Sequence, residues 1–180
     1  MIEAGDYDNM GVSLANPAST GIAATHRGDY AIYAVADQTI YRWRDDPGRN
    51  INVFLRPTIA PQQDRNLIDF SLNAGLTMHG LLPGRNDDTF GIGMGLAQVG
   101  ASAAGLGLDA ALYDPGVYSP ARRNETIVEA TYQYQVTPWW QIQPDIQYVV
   151  NPGAGAVNPN DPTQRVKDEA VFGVRVNVTF

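Results

Sequence analysis

The stretch Asn66–Gly80 reads NLIDFSLNAGLTMHG. Ile68, Phe70, Leu72, Ala74, Leu76 and Met78 fall on every second position, with Asp69, Ser71, Asn73, Gly75, Thr77 and His79 between them. A helix returns to one face every third or fourth residue, so a period of two held this long dictates a strand. From Ile68 to Met78 such a strand is roughly 33 Å long at about 3.3 Å per residue, and a tilt of about 40° projects it onto roughly 25 Å, the height of a bilayer interior. Strands of soluble domains average about five or six residues, so the length itself points to lipid.

The pattern recurs. Segment 125–137 sets Val128, Ala130, Tyr132, Tyr134 and Val136 against Glu129, Thr131, Gln133 and Gln135. Segment 140–150 sets Trp140, Ile142, Pro144, Ile146, Tyr148 and Val150 against Gln141, Gln143, Asp145 and Gln147. Segment 169–180 sets Ala170, Phe172, Val174, Val176, Val178 and Phe180 against Glu169, Gly173, Arg175, Asn177 and Thr179, with Val171 as the exception. Segments 50–60 and 89–99 follow the same rule, the latter alternating Phe90, Ile92, Met94 and Leu96 with Gly91, Gly93 and Gly95. Those glycines alternate with large apolar residues instead of opening a helix, so they read as space left on the polar face, not as a phosphate loop. Segment 30–43 is also read as a strand, but Asp37 and Gln38 fall on opposite faces and its faces stay unassigned.

Composition narrows the class. Charged residues are only 17% of the 180-residue chain, below the roughly 25% of an ordinary soluble domain. Apolar residues reach 44%, yet no stretch approaches the 18 or so consecutive apolar residues of a membrane helix. A net charge of -7 without a basic block excludes nucleic acid as partner. The absence of Cys excludes a disulfide scaffold and thiolate chemistry. Residues 1–6 carry neither a charged n-region nor an apolar h-region, so an exported protein with this sequence has lost its signal peptide or the chain is a fragment.

Connections alternate. Asp45-Asp46-Pro47-Gly48, residues 82–88 and Thr137-Pro138 are short, whereas 100–124 and 151–168 are long and rich in Gly, Pro, Asp and Asn. With Phe180 on the periplasmic side, the short turns 44–49, 81–88 and 137–138 fall there too, and the long connections fall outside. Tyr41, Trp43, Trp139, Trp140 and Tyr148 stand near strand ends, the headgroup level; Trp139 and Trp140, side by side, are expected to put one ring on each face. Ala101–Leu108 is too apolar for a hydrated loop and fits either a segment folded into the pore or one packed on another subunit of a homo-oligomer. Seven strands are visible, and lipid tolerates no open sheet edge. Residues 1–29, punctuated by Asn16-Pro17, Gly21 and Arg27-Gly28-Asp29, read as an external loop or truncated strand region. Residues 30–180 therefore read as the C-terminal part of a larger all-β, transmembrane antiparallel barrel.

Five motifs in order, Tyr33–Gln38, Ala60–Asn66, Pro83–Thr89, Gln135–Trp140 and Gln143–Tyr148, resemble the C-terminal half of the carbohydrate-selective porin family, the glucose-inducible outer-membrane porins of Gram-negative bacteria. The resemblance implies a barrel of about sixteen strands that admits small sugars by passive diffusion. It implies the cell outer membrane as location, and outer-membrane lipid, lipopolysaccharide and the barrel-assembly machinery as partners. A terminal aromatic such as Phe180 is similar to the signal that machinery reads.

The polar faces nominate Asp69, Asn73, Glu129, Gln133, Gln143, Asp145 and Arg175 as lumen-facing. Amides and hydroxyls dominate, groups that exchange hydrogen bonds with water and with sugar hydroxyls. Asp69, Glu129, Asp145 and Arg175 are the charges among them, and a carboxylate–guanidinium pair could orient a solute. No catalytic, cofactor-binding or metal residues are nominated. His26 and His79 are the only histidines, His79 reads as a rim residue, and Asp45-Asp46 and Asp87-Asp88, pairs that could attract calcium, are adequately explained as solvated turn carboxylates. Three rivals remain: a general diffusion porin without sugar selectivity, a soluble β-sandwich that binds carbohydrate, and a barrel enzyme, which lacks a placed nucleophile–base pair.

Overall fold

A computed structural model describes residues 6–180; residues 1–5, with most of the hexapeptide read for an export signal, lie outside the described residues. One antiparallel meander dominates it. Its strands are β1 (Ile32–Tyr33), β2 (Ala36–Arg42), β3 (Asn50–Ile59), β4 (Ile68–His79), β5 (Thr89–Val99), β6 (Asn124–Thr137), β7 (Trp140–Val150) and β10 (Glu169–Val178), and a small hairpin, β8 (Val157–Asn158) with β9 (Asp161–Arg165), lies between the last two. β1 and β2 both pair with β3, so segment 30–43 is one broken strand and the sheet follows the seven-segment order read from the sequence. Each outermost strand, β2 with β1 on one side and β10 on the other, has one neighbour in this chain.

The sheet is a single layer, apolar on its exposed side. Among the described residues the buried apolar set is only Ala60, Val99 and Ala154, whereas Ile92, Met94, Val128, Ile146, Tyr148, Phe172, Val174 and Val176 are all exposed. Along Pro144–Val150 every apolar side chain but Val149 is exposed and the polar ones are half-buried, the reverse of a water-soluble strand. The accessible surface, 11519 Å², exceeds the roughly 8,500 Å² expected of a compact soluble monomer of this mass. A β-sandwich would bury this apolar face against a second sheet; none packs here among the described residues, which removes the soluble-sandwich reading.

Registers place every apolar set on one side. Ile51, Val53 and Leu55 pair with Met78, Leu76 and Ala74; Leu76, Ala74 and Leu72 with Ile92, Met94 and Leu96; Met94 and Ile92 with Val128 and Ala130; Ile146 and Pro144 with Phe172 and Val174. Segment 30–43 becomes legible here: Asp37 pairs with Phe54 on the polar side and Gln38 with Val53 on the apolar side, and a bulge between Thr39 and Tyr41 shifts the register so that Tyr41 meets Ile51. The extra residue breaks the alternation.

Short turns gather at one end. Arg49 Nε donates to the Gly80 carbonyl at 2.7 Å, Asn86 Nδ2 to Asp46 Oδ2 at 2.5 Å, and Arg85 Nη2 to the Gln135 carbonyl at 2.8 Å. Tyr41 and Trp43 meet edge to face there, their ring centroids 4.9 Å apart. Trp139 lies in the turn after β6 and stacks on Trp140 at 6.4 Å; the two rings share one place instead of dividing between faces, because a turn residue is free of the strand's alternation.

The opposite end carries the long connections, and neither is irregular throughout. Ala101–Tyr113 forms a helix, α1, where the sequence reading expected a loop; Ala and Leu are the strongest helix formers, and five alanines and leucines sit among its last eight residues. Gly107 lets α1 approach the following segment, since a Cβ there would lie 3.1 Å from the Pro120 carbonyl oxygen. At about 20 Å this helix is too short to span a bilayer. Arg65 Nη1 donates to the carbonyls of Arg27 and Gly28, and Asn66 Nδ2 to Asp29 Oδ1 at 3.0 Å. The motif Ala60–Asn66 thus clamps the end of the N-terminal loop.

That loop is organised by one carboxylate. Asp8 is 1% exposed and accepts from the N–H groups of Met10, Val12 and Thr20 and from the Ser19 hydroxyl, at 2.7–2.9 Å. The Thr20 N–H foremost, with those of Val12 and Met10 and the Ser19 hydroxyl, holds its carboxyl well below the usual range against the opposing pull of burial. Asn16 Nδ2 reaches Tyr113 Oη at 3.0 Å, tying the loop to α1. Asp8→Ala is expected to open residues 9–24 to limited proteolysis while the strands stay protected; an unchanged cleavage pattern would remove Asp8 as the organiser.

Candidate functional site

The polar face is the candidate site. Strand alternation projects one set of side chains from each strand, and the ladder aligns them: Asp37 beside Phe54, Arg56 beside Asn73, Asn73 beside Gly95, Gly93 beside Glu129, Glu129 beside Gln147, Thr131 beside Asp145, Asp145 beside Gly173 and Gln143 beside Arg175. Such alignment makes cross-strand polar pairing the rule.

Six of the seven nominated residues, Asn73, Glu129, Gln133, Gln143, Asp145 and Arg175, share this surface. Gln147 Nε2 donates to Glu129 Oε2 at 3.2 Å and to Asp145 Oδ2 at 3.3 Å, an amide bridging two carboxylates. Gln143 Nε2 donates to Thr131 Oγ1 at 2.9 Å, which donates to the Pro144 carbonyl at 3.1 Å. Gln133 pairs with Thr89 towards the short-turn end. Asn73 and Arg175 are exposed.

Asp69 stands apart. It is 6% exposed, and its Oδ1 has no hydrogen-bond partner. The ladder slips between Ile68 and Phe70, and the Gly100 backbone covers it, with a Cβ at Gly100 only 3.8 Å from Asp69 Cβ. Alternation alone put Asp69 among open positions; the bulge and the start of α1 cover it.

Among the described residues, none of Asp69, Glu129, Asp145 and Arg175 forms an ion pair with another of the four. The carboxylate–guanidinium pair on this face is Asp37–Arg56, 3.4 Å apart. Both side chains are more than half exposed, so the pair adds little to stability and stays open to solutes. The Arg56 guanidinium also lies 5.2 Å from the centroid of the Phe54 ring. The sequence reading missed this group because the faces of segment 30–43 were unassigned and Phe54 breaks the polar rule of its own face. Counting register back from turn 44–49 would have put Asp37 opposite Leu55 on the apolar face, because the bulge between Thr39 and Tyr41 shifts the pairing by one residue.

One further cluster lies at the short-turn end. Asp88, read as a solvated turn carboxylate, is 1% exposed. It accepts from Arg85 Nε at 2.8 Å and Nη2 at 2.6 Å, from Tyr132 Oη at 2.6 Å and from the Gln135 N–H at 2.9 Å. The Arg85 guanidinium also covers the Tyr134 ring at 4.0 Å. These contacts bind motif 83–89 to motif 135–140. Asp46 is engaged by Asn86 and by the Gly48 N–H. His79 Nδ1 sits 2.9 Å from Thr89 Oγ1, a cross-strand pair at the sheet rim. No group of three metal-ligating side chains converges among the described residues.

A family model described as carbohydrate-selective porin, OprB family, matches residues 4–180. Porin B of Pseudomonas aeruginosa is 24% identical over 156 residues, which cover 82% of this chain and 32% of that protein. The high-pH structure of Pseudomonas putida OprB superposes with a TM-score of 0.81 at 24% identity, over 98% of this chain and 41% of that one. The superposition establishes an antiparallel all-β fold matching part of a barrel porin. The chain spans about a third of the one relative's length and about two fifths of the other's.

Proposed function

The chain belongs to the carbohydrate-selective porin, OprB family, and on that premise we propose that its polar face lines a water-filled pore through which small carbohydrates diffuse passively. Family membership indicates passive transport and not catalysis. In this reading the seven-segment sheet is part of a barrel of about sixteen strands, and further strands pair with the outer edges of β2 and β10, because lipid leaves no backbone donor or acceptor unpaired. The apolar face meets the lipid and lipopolysaccharide of the outer membrane of a Gram-negative bacterium. The assembly machinery inserts the barrel there, and residues 6–29 cap its external side.

The observation that carries this reading is the inversion of the sheet: large apolar side chains exposed on one face, and amides, hydroxyls and mixed-sign charges in register on the other. A face with both Asp37 and Arg56, both Glu129 and Arg175, presents no single-sign ring, so it favours neutral polar solutes over ions of one charge. Reconstituted as a closed barrel in liposomes, the protein is expected to pass hexoses several-fold faster than amino acids of similar size. Equal permeabilities would leave a general diffusion pore.

A further inference from the structure

Glycines cross the polar face as a lane. Gly91, Gly93 and Gly95 succeed one another on β5, and Gly75 of β4 stands directly opposite Gly93. With four side chains missing, the wall sinks into a trough of about 350 Å³ floored by backbone, within the lower range of about 300–1,000 Å³ typical of small-ligand sites. Phe54 forms one wall. Its ring lies across Gly75, where a Cβ would come within 2.8 Å of it, and reaches 3.7 Å from the place of a Cβ on Gly93. Ile127, Glu129 and Thr131 form the opposite wall, and Asn73 and Thr77 close the two ends.

The ring partly fills the gap left by Gly75, a structural service common where aromatic side chains cover strand glycines. That service does not extend to Gly91 or Gly95, where a Cβ would instead meet Thr131 Cγ2 and Asn73 Oδ1, each at 3.2 Å. We propose that the trough is a subsite for a pyranose ring, which lays its C–H face on Phe54 and directs hydroxyls to Asn73 and Glu129, with the Thr131 methyl as part of the wall. Phe54 and Glu129 stand on strands three spacings apart, about 14 Å between axes; the Phe54 ring bridges that span as far as Gly93, which pairs with Glu129, so a sugar ring would lie over the outer face of Phe54 beside Glu129. The negative face of an aromatic ring attracts the weakly positive C–H bonds of a sugar. A carboxylate and an amide around it supply both acceptors and donors. A zwitterionic amino acid has no flat C–H face to offer. The site is shallow and open, as conduction requires: it holds a solute long enough to favour it and lets it go.

This inference rests on the reading of the polar face as pore lining, and the test separates the two. The closed barrel in liposomes is assayed for saturable flux of glucose and of sorbitol, which has the same carbon number but no ring. Phe54→Leu is expected to raise the half-saturating glucose concentration about fivefold and leave sorbitol flux unchanged. Asn73→Ala, at an exposed position, is expected to raise it about threefold. Thr131→Cys is expected to react with a membrane-impermeant thiol reagent, and glucose to slow that reaction. If unsubstituted protein passes glucose and Thr131→Cys reacts, yet both variants change glucose and sorbitol alike or neither, the subsite is overturned and the pore stands. If Thr131→Cys is inert and unsubstituted protein passes no sugar, both are overturned.

Discussion

Arginine in place of Ile146 is expected to destabilise the folded barrel in lipid by about 2–4 kcal/mol, whereas arginine in place of Gln147 is expected to cost less than about 1 kcal/mol. The two positions are neighbours on β7 and lie at the same depth. Ile146 stands in register between Ala130 and Phe172 on the apolar face and is 46% exposed. A guanidinium there enters hydrocarbon near the middle of the strand, where its register neighbours Ala130 and Phe172 offer no carboxylate to receive it. Gln147 already donates to Glu129 and Asp145, so a cation at that position meets two carboxylates and water. Reversible denaturant unfolding in phospholipid vesicles measures both. Equal costs would mean that the faces do not divide lipid from water, and the barrel reading would fall with them.

Strands were legible because these strands are long and their faces divide apolar from polar side chains at most positions. The expected segments 89–99 and 140–150 coincide with β5 and β7, and 125–137 and 66–80 differ from β6 and β4 only at their ends. What the period could not reveal was anything that depends on two strands at once. Asp37 and Arg56 are nineteen positions apart, and their pairing needs the bulge at Thr39/Tyr41 to be known. Phe54 stands on the polar face for a reason that lies in Gly75, on the neighbouring strand. Helix α1 escaped for a different reason: its apolar residues run all round instead of forming a stripe, so neither strand nor helix periodicity marks it, and only its Ala and Leu content does. Asp69 obeys alternation and is nevertheless covered, because the covering group, Gly100, arrives after the whole of β5.

The Asp88 cluster is the largest of these non-local features, since Tyr132 and Gln135 lie 44 and 47 residues beyond the carboxylate they engage. Removing the charge, Asp88→Asn, is expected to cost about 2–3 kcal/mol: it weakens the bidentate contact to Arg85 and leaves the Tyr132 hydroxyl and the Gln135 N–H with a poorer acceptor. The partly exposed Arg85 keeps the figure below that of a fully buried pair. Burial alone would raise the Asp88 carboxyl; the hydrogen bonds from Arg85, Tyr132 and Gln135, with the Arg85 charge, overcome it and hold the group below the usual carboxylate range. A carboxyl lowered on folding contributes fully above its unfolded value of about 4 and loses that contribution as pH falls towards the folded value. The stability gap between unsubstituted protein and Asp88→Asn is therefore expected to be constant from pH 7 to about pH 5 and to shrink below pH 4. The same variant is expected to loosen turn 81–88 from β6, read as faster amide exchange at Arg85 and Gln135. A gap that persists unchanged to pH 3 would mean that shape, not the ionised carboxylate, holds the turn in place.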